Sequence, residues 1–264
     1  MTDLVFNSVT NRNFDLSGLI AHYERHGIRR MALWREKIDP VGVAETRRRL
    51  ADAGIAVTNI CGWLDRPKSE VTTAERKRSV EVAAELGAGS MTLLVPGLDG
   101  GARSLEDCRK AGLEEAARIL EHGRAHGVTI ALEPVHPLRV QNLSCVNTIA
   151  QAIEWCETLG EGIGIEIDVH NVWWDPDLAR QIGAAARKSL IAGVQICDVS
   201  GSNTALREVP GEGVVDLPHF VGLFRDAGYR GGWEIELIGP HLWEREQDSY
   251  TAGIIETCER LLRS

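Results

Sequence analysis

The stretch ILEHGRAHGVTIALEP (119–134) decides how this chain is read. Its first half has helical spacing and ends on basic residues and Gly127, the usual close of an α-helix. Its second half, VTIALE (128–133), is a short β-type run with Ile130 and Leu132 on one face and Ala131 and Glu133 on the other. Outward from it the same unit recurs: RRRLADAGIAV (47–57), EVAAELGAGSM (81–91) and LFRDAGYRGGW (223–233) all pass from a helix through small residues or glycine into a strand.

Strand-like runs are expected at 4–9, 28–34, 55–61, 90–95, 128–133, 163–168, 192–197 and 233–238, each alternating with a helical pattern. Eight such units in 264 residues are the arithmetic of one α/β domain, a (β/α)8 TIM barrel over residues 1–264. An open doubly wound sheet is the rival, disfavoured because no G-x-G-x-x-G follows the first strand. The longest loops, 62–70, 96–104, 198–216 and 239–248, all follow strands, so in a barrel they open on the C-terminal face, where barrel enzymes keep their chemistry.

The net charge of −9 would repel a phosphate backbone, which argues against nucleic acid as a partner. No apolar run is long enough to span a bilayer, and MTDLVFNSVTNRNFD (1–15) lacks the basic and apolar parts of a secretory signal, so a cytoplasmic protein is expected. Six cysteines without a C-x-x-C pair read as buried residues, neither a disulfide framework nor a thiolate zinc site.

Alternation places Glu133 inward at the end of the fifth strand, Asp168 above Glu166 on the sixth, and Glu236 above Glu234 on the eighth. Any one of these acids alone is better read as an ordinary salt-bridged strand end. Three on neighbouring strands repel one another unless a divalent cation sits among them. Gln195 shares its face with the small residues Gly193 and Cys197, so it too is placed inward, completing an all-oxygen cage that favours Mg²⁺ or Mn²⁺ over zinc. Periodicity leaves Glu166 and Glu234 as alternatives to Asp168 and Glu236.

The EP at 133–134, DVHNVWWDP (168–176), QICD (195–198), REVPGEGVVDL (207–217) and GYRGGWEIEL (228–237) resemble the sugar phosphate isomerase/epimerase superfamily of xylose isomerase-like barrels, as do LWR (33–35) and DAGIAVT (52–58). Carried over residue by residue, the resemblance puts the metal ligands on Glu133, Asp168, Gln195 and Glu236, with Gln195 where a histidine is commoner. It implies a divalent-metal-dependent isomerase or epimerase acting on a keto-sugar or a related hydroxy-carbonyl compound through an enediolate, with Glu133 and Glu236 as the acid/base pair. A lyase, a dehydratase or a 3-oxo-glycoside deglycosidase, would share the first step. Phosphodiester hydrolysis, as in the endonuclease IV branch, fits poorly with a single cage and a negative chain, and a non-catalytic binding barrel fits poorly with intact acid/base positions.

Around this cage His136, His170, Arg207 and Glu212 are expected to contact substrate. Arg207 offers a fork for a hydroxyl, carboxylate or phosphate. Trp34, Trp63, Trp173, Trp174 and Trp243 are all expected on the same face, where Trp34 and Trp173 are taken as walls of a sugar pocket. The partner is a small sugar-like molecule, and family habit implies a homo-oligomer.

Overall fold

A computed structural model describes residues 4–263. Eight parallel strands close into a barrel: β1 (Leu4–Asn7), β2 (Arg30–Trp34), β3 (Ala56–Cys61), β4 (Ser90–Leu93), β5 (Thr129–Leu132), β6 (Ile163–Asp168), β7 (Ile191–Ile196) and β8 (Trp233–Ile235). Each pairs with its neighbour in sequence, and β1 pairs with β8 to close the ring. The strands match the expected runs but are mostly shorter at their C-terminal ends. Glu133 and Glu236 therefore stand just past their strands rather than within them.

Eight helices surround the strands: α1 (Leu16–Arg25), α2 (Val43–Asp52), α3 (Thr73–Leu86), α4 (Leu105–His126), α5 (Ile149–Leu159), α6 (Leu178–Arg187), α7 (Leu217–Asp226) and α8 (Gln247–Arg263). Their boundaries follow local chemistry. Thr72 and Glu75 form a reciprocal capping box at the start of α3, and Ser104 caps α4 through the Asp107 amide. The helix α4 stops because Gly127 takes a left-handed φ of 68°, which a residue with a Cβ resists. None of the helices described is long and apolar enough to cross a membrane.

The main core lies between the strands and this helical ring, where Ile130, Leu132, Ile165, Ile167, Val194, Ile196 and Ile235 meet residues such as Ile119, Ile153, Phe220 and Phe224. The barrel interior is different. A small apolar cluster of Val5, Val9, Ala32, Trp34 and Cys61 shares it with Asn7, Asn59, Glu166, Gln195 and Glu234, all buried. A barrel filled by aliphatic residues alone needs no ligand; this one holds polar groups that must each find a partner. All six cysteines are free and buried.

The segment between β7 and α7, expected as a loop, contains a two-residue antiparallel ladder, Asp198–Val199 with Arg207–Glu208. Asp198 holds the segment down by accepting from the amides of Val199, Gly211 and Val215. The hairpin so formed turns Arg207 back over the barrel mouth.

Candidate active site

The mouth is built from the ends of four strands. Asp168 closes β6, Gln195 lies level with it on β7, and Glu234 on β8 lies level with Gln195 on the other side. Glu133 and Glu236 stand beyond β5 and β8. Glu133, Asp168, Gln195 and Glu236 are 7%, 0%, 1% and 4% exposed. Glu166 and Glu234 are buried as well, one alternation step towards the N-terminal face. Glu234 on β8 and Glu236 just beyond it thus both point inward, at different depths.

Shared donors draw the acids together. Asn171 Nδ2 bridges Glu133 Oε1 at 2.8 Å and Asp168 Oδ2 at 2.9 Å. Arg207 forks Asp168 with two bonds of 3.0 and 2.7 Å and lies 3.0 Å from Glu236 Oε2. Asn7 Nδ2 bridges Glu236 Oε1 at 3.0 Å and Glu234 Oε1 at 2.7 Å. Gln195 Nε2 donates to Glu234 Oε1 at 2.8 Å, and Gln195 Oε1, fully buried, has no partner.

The charges do not balance. Glu133, Glu166, Asp168, Glu234 and Glu236 bring five buried carboxylates to the barrel interior, and Arg207 brings one buried guanidinium. Burial, reinforced by the charge of Asp168, pushes the Glu133 carboxyl up to about 8. Burial also pushes Glu166 and Glu236 well above the carboxylate range. Glu234 rises as well, held back by its bonds from Asn7 and Gln195. A divalent cation would relieve the excess negative charge, and Glu133, Asp168, Gln195 and Glu236 could hold it: their donors are all oxygen, and the orphaned Gln195 Oε1 is an acceptor in want of a positive partner. Donor atoms of Cys61, Glu234 and Glu236 also fall within 4.8 Å of one another. Cys61, however, is kept a thiol by burial and by the surrounding acids, and a thiol is a poor ligand.

A model of the xylose isomerase-like TIM barrel family matches residues 20–256. The chain belongs to that family. Among solved structures, a protein of Sinorhizobium meliloti 1021 is 34% identical with a TM-score of 0.90, the match covering 98% of each chain. The IolI protein with a bound zinc atom is 20% identical at a TM-score of 0.82, over 99% of this chain and 98% of that one. A 3-keto-D-glucoside 4-epimerase from E. coli is 17% identical at a TM-score of 0.74, over 97% and 100%. No curated protein matches the chain.

In this xylose isomerase-like barrel the remaining expected residues separate. Arg207, read from sequence as a clamp for substrate, is buried and committed to Asp168 and Glu236. Glu212 stays on the rim, paired with Arg245 at 2.7 Å, away from the acids. His136 caps the turn Pro137–Arg139 and packs edge-on to Trp174. His170 is buried with both ring nitrogens unpartnered, and burial beside Arg207 lowers its imidazole to about 4. Of the tryptophans, Trp34 and Trp63 line a narrow cleft of about 50 Å³ that also reaches Glu133, Gln195 and Glu236. Trp173 is half-buried, with its indole N–H unpartnered; Trp174 and Trp243 bond backbone carbonyls and fasten loops.

Three further residues complete the site, of which sequence reasoning missed Asn7 and Lys68 and left the role of Asn171 open. Asn7 ends β1 inward, so the signal was an amide at an inward strand end. Asn171, three residues beyond Asp168, ties Glu133 to Asp168. Lys68 lines the cleft from the turn Lys68–Glu70, its ammonium bonded to the Trp63 and Arg66 carbonyls and 5.9 Å from the Trp34 ring. Burial lowers its pKa. It lies in a charged surface-type run, DRPKSE (65–70), which carries no sequence signal for burial.

Proposed function

We propose that the protein is a divalent-metal-dependent isomerase or epimerase of a keto-sugar or a related small hydroxy-carbonyl compound. The observation that carries this reading is the excess of buried carboxylates around an unpartnered amide oxygen at the floor of a tryptophan-lined cleft. Membership of the family supports it, as do the zinc bound by the IolI protein and the keto-sugar acted on by the E. coli epimerase, both of which share the fold.

In this reading Glu133, Asp168, Gln195 and Glu236 hold Mn²⁺ or Mg²⁺. The ion would supply Lewis-acid polarisation of a carbonyl and its neighbouring hydroxyl, without which a carboxylate is too weak a base for a C–H bond. Glu133 and Glu236 form the acid/base pair: one takes the proton α to the carbonyl and the other returns one. Asn171 and Asn7 aim these carboxylates. Arg207 holds Asp168 in place. His170, neutral and unpartnered, offers a donor or acceptor to a substrate hydroxyl. Trp34 and Trp63 provide flat apolar walls and exclude water.

A lyase that begins with the same proton abstraction is the second reading. Lys68 favours it, because the one ammonium proton not bonded to a carbonyl could protonate a departing oxygen in the cleft. The test is elemental analysis of the purified protein, then incubation in D₂O with a panel of ketoses and inososes. Deuterium in a recovered sugar supports proton transfer, and loss of water or aglycone selects the lyase. Bound metal with no exchange across the panel counts against both. Glu133→Gln is expected to abolish exchange, and full activity in that variant would sink the assignment.

A further inference from the structure

We infer that Glu234 is a positioning residue that fixes the rotation of the Gln195 amide, so that the oxygen rather than the NH₂ group faces the metal site. The inference rests on the metal-binding reading above and assigns a role to the one acid of β8 that this reading leaves unused.

An amide is ambidextrous. Rotated by half a turn, Gln195 would present N–H donors to the cage, which a cation repels. Burial alone does not choose between the two states, since both fill the same volume. Glu234 does choose, because the oxygen it turns to Gln195 already accepts an N–H from Asn7 and is placed as an acceptor only. Glu234 lies level with Gln195 in the register of β8 and β7, and its Oε1 accepts from Gln195 Nε2 at 2.8 Å. Gln195 Oε1 is thereby turned away from Glu234 and left without a partner.

Glu234 is itself held. The same Oε1 accepts from Asn7 Nδ2 at 2.7 Å, and Asn7 also reaches Glu236 Oε1 at 3.0 Å. Asn7 cannot rotate, because its Oδ1 accepts from the Trp34 indole N–H at 2.7 Å and from the Val9 amide at 3.0 Å. Polarity therefore runs one way, from donors that are never acceptors, through Asn7, to the acids and so to Gln195. Relatives with histidine in place of Gln195 present a ring nitrogen, whereas an amide must be told which end to offer. Outer partners that orient metal ligands commonly contribute about 10–100-fold in metal affinity.

The test uses Mn²⁺ titrated calorimetrically into the metal-stripped full chain, for the unaltered protein, Glu234→Gln, Gln195→Ala and the double variant. A glutamine at 234 keeps the volume and removes the one-way acceptor. Glu234→Gln is expected to weaken Mn²⁺ about 10–100-fold. In the Gln195→Ala background the same change is expected to alter affinity less than about twofold, since no amide remains to orient. Unchanged affinity in Glu234→Gln, or an equal loss in both backgrounds, would overturn the inference while leaving the metal reading intact. No Mn²⁺ or Mg²⁺ binding by the unaltered protein would overturn the metal reading and this inference with it.

A second measurement needs no change at Glu234. The side-chain amide protons of Gln195, assigned by their loss in Gln195→Ala, are expected to exchange slowly with solvent before Mg²⁺ is added and to shift little after. A rapidly exchanging pair that is ordered only by Mg²⁺ would overturn preorganisation.

Discussion

Arg207 is the residue whose environment differs most from a surface loop. Its guanidinium is the buried counter-charge for Asp168 and Glu236, so removing it leaves two carboxylates uncompensated. Arg207→Met is expected to destabilise the metal-free protein by about 3–5 kcal/mol in urea unfolding, with part of the loss restored by Mn²⁺. A loss under 1 kcal/mol would show that the acids are already neutral without it. Gly193 offers a sharper geometric test. A Cβ at this position would run into the Glu166 carboxylate, which lies against the glycine across the β6–β7 pair. Gly193→Ala is expected to destabilise by about 1–3 kcal/mol. Adding Glu166→Ala should relieve the clash, so strict additivity of the two changes in a double-mutant cycle would refute the contact.

Among the elements, the turn Lys68–Glu70 between β3 and α3 has little structure of its own and is held from outside. Arg76 on α3 donates to the Lys68 carbonyl at 2.7 Å and the Val71 carbonyl at 2.5 Å, and is itself anchored by Glu115 of α4 at 3.2 Å. This helix-borne clamp presents Lys68 to the cleft. Arg76→Met is expected to speed amide hydrogen exchange over residues 66–71 while α3 and α4 keep their protection. Uniform loss of protection across both helices would mean that Arg76 supports the helix pair rather than the turn. The hairpin after β7 works similarly, with Asp198 pinning the chain that returns Arg207 to the mouth.

For the whole molecule, the buried charges predict how stability depends on pH. Glu133 is raised from 4.5 to about 8 on folding, so the folded state holds a proton that the unfolded chain has released, and stability falls as pH rises through that window. Glu166 and Glu236 act in the same direction. His170 is lowered from 6.5 to about 4, so its contribution is present above 6.5 and is lost as pH falls towards 4. Between pH 4.5 and 6.5 the three raised acids outweigh the one histidine, so the metal-free protein should have its highest thermal midpoint near pH 4–5 and lose stability towards pH 8, and saturating Mn²⁺ should extend stability to higher pH by neutralising the acids. A midpoint that still climbs from pH 7 to 9 without metal would contradict this.

The sequence by itself determined the repeat, the barrel and the inward parity of Glu133, Asp168, Gln195 and Glu236, because alternation along a strand and glycine at a helix end are local properties. It also showed that the eighth strand-like run carries two inward glutamates. What those glutamates do was decided only by tertiary structure. Asn7 meets Glu236 across 229 residues because β1 pairs with β8, and that closure links the amides to the acids. The burial of Arg207 and Lys68 was equally hidden. Both are charged residues in polar segments, and each enters the mouth because another side chain holds it there: Asp168, 39 residues away, binds the Arg207 guanidinium, and Arg76 on the next helix binds the Lys68 carbonyl.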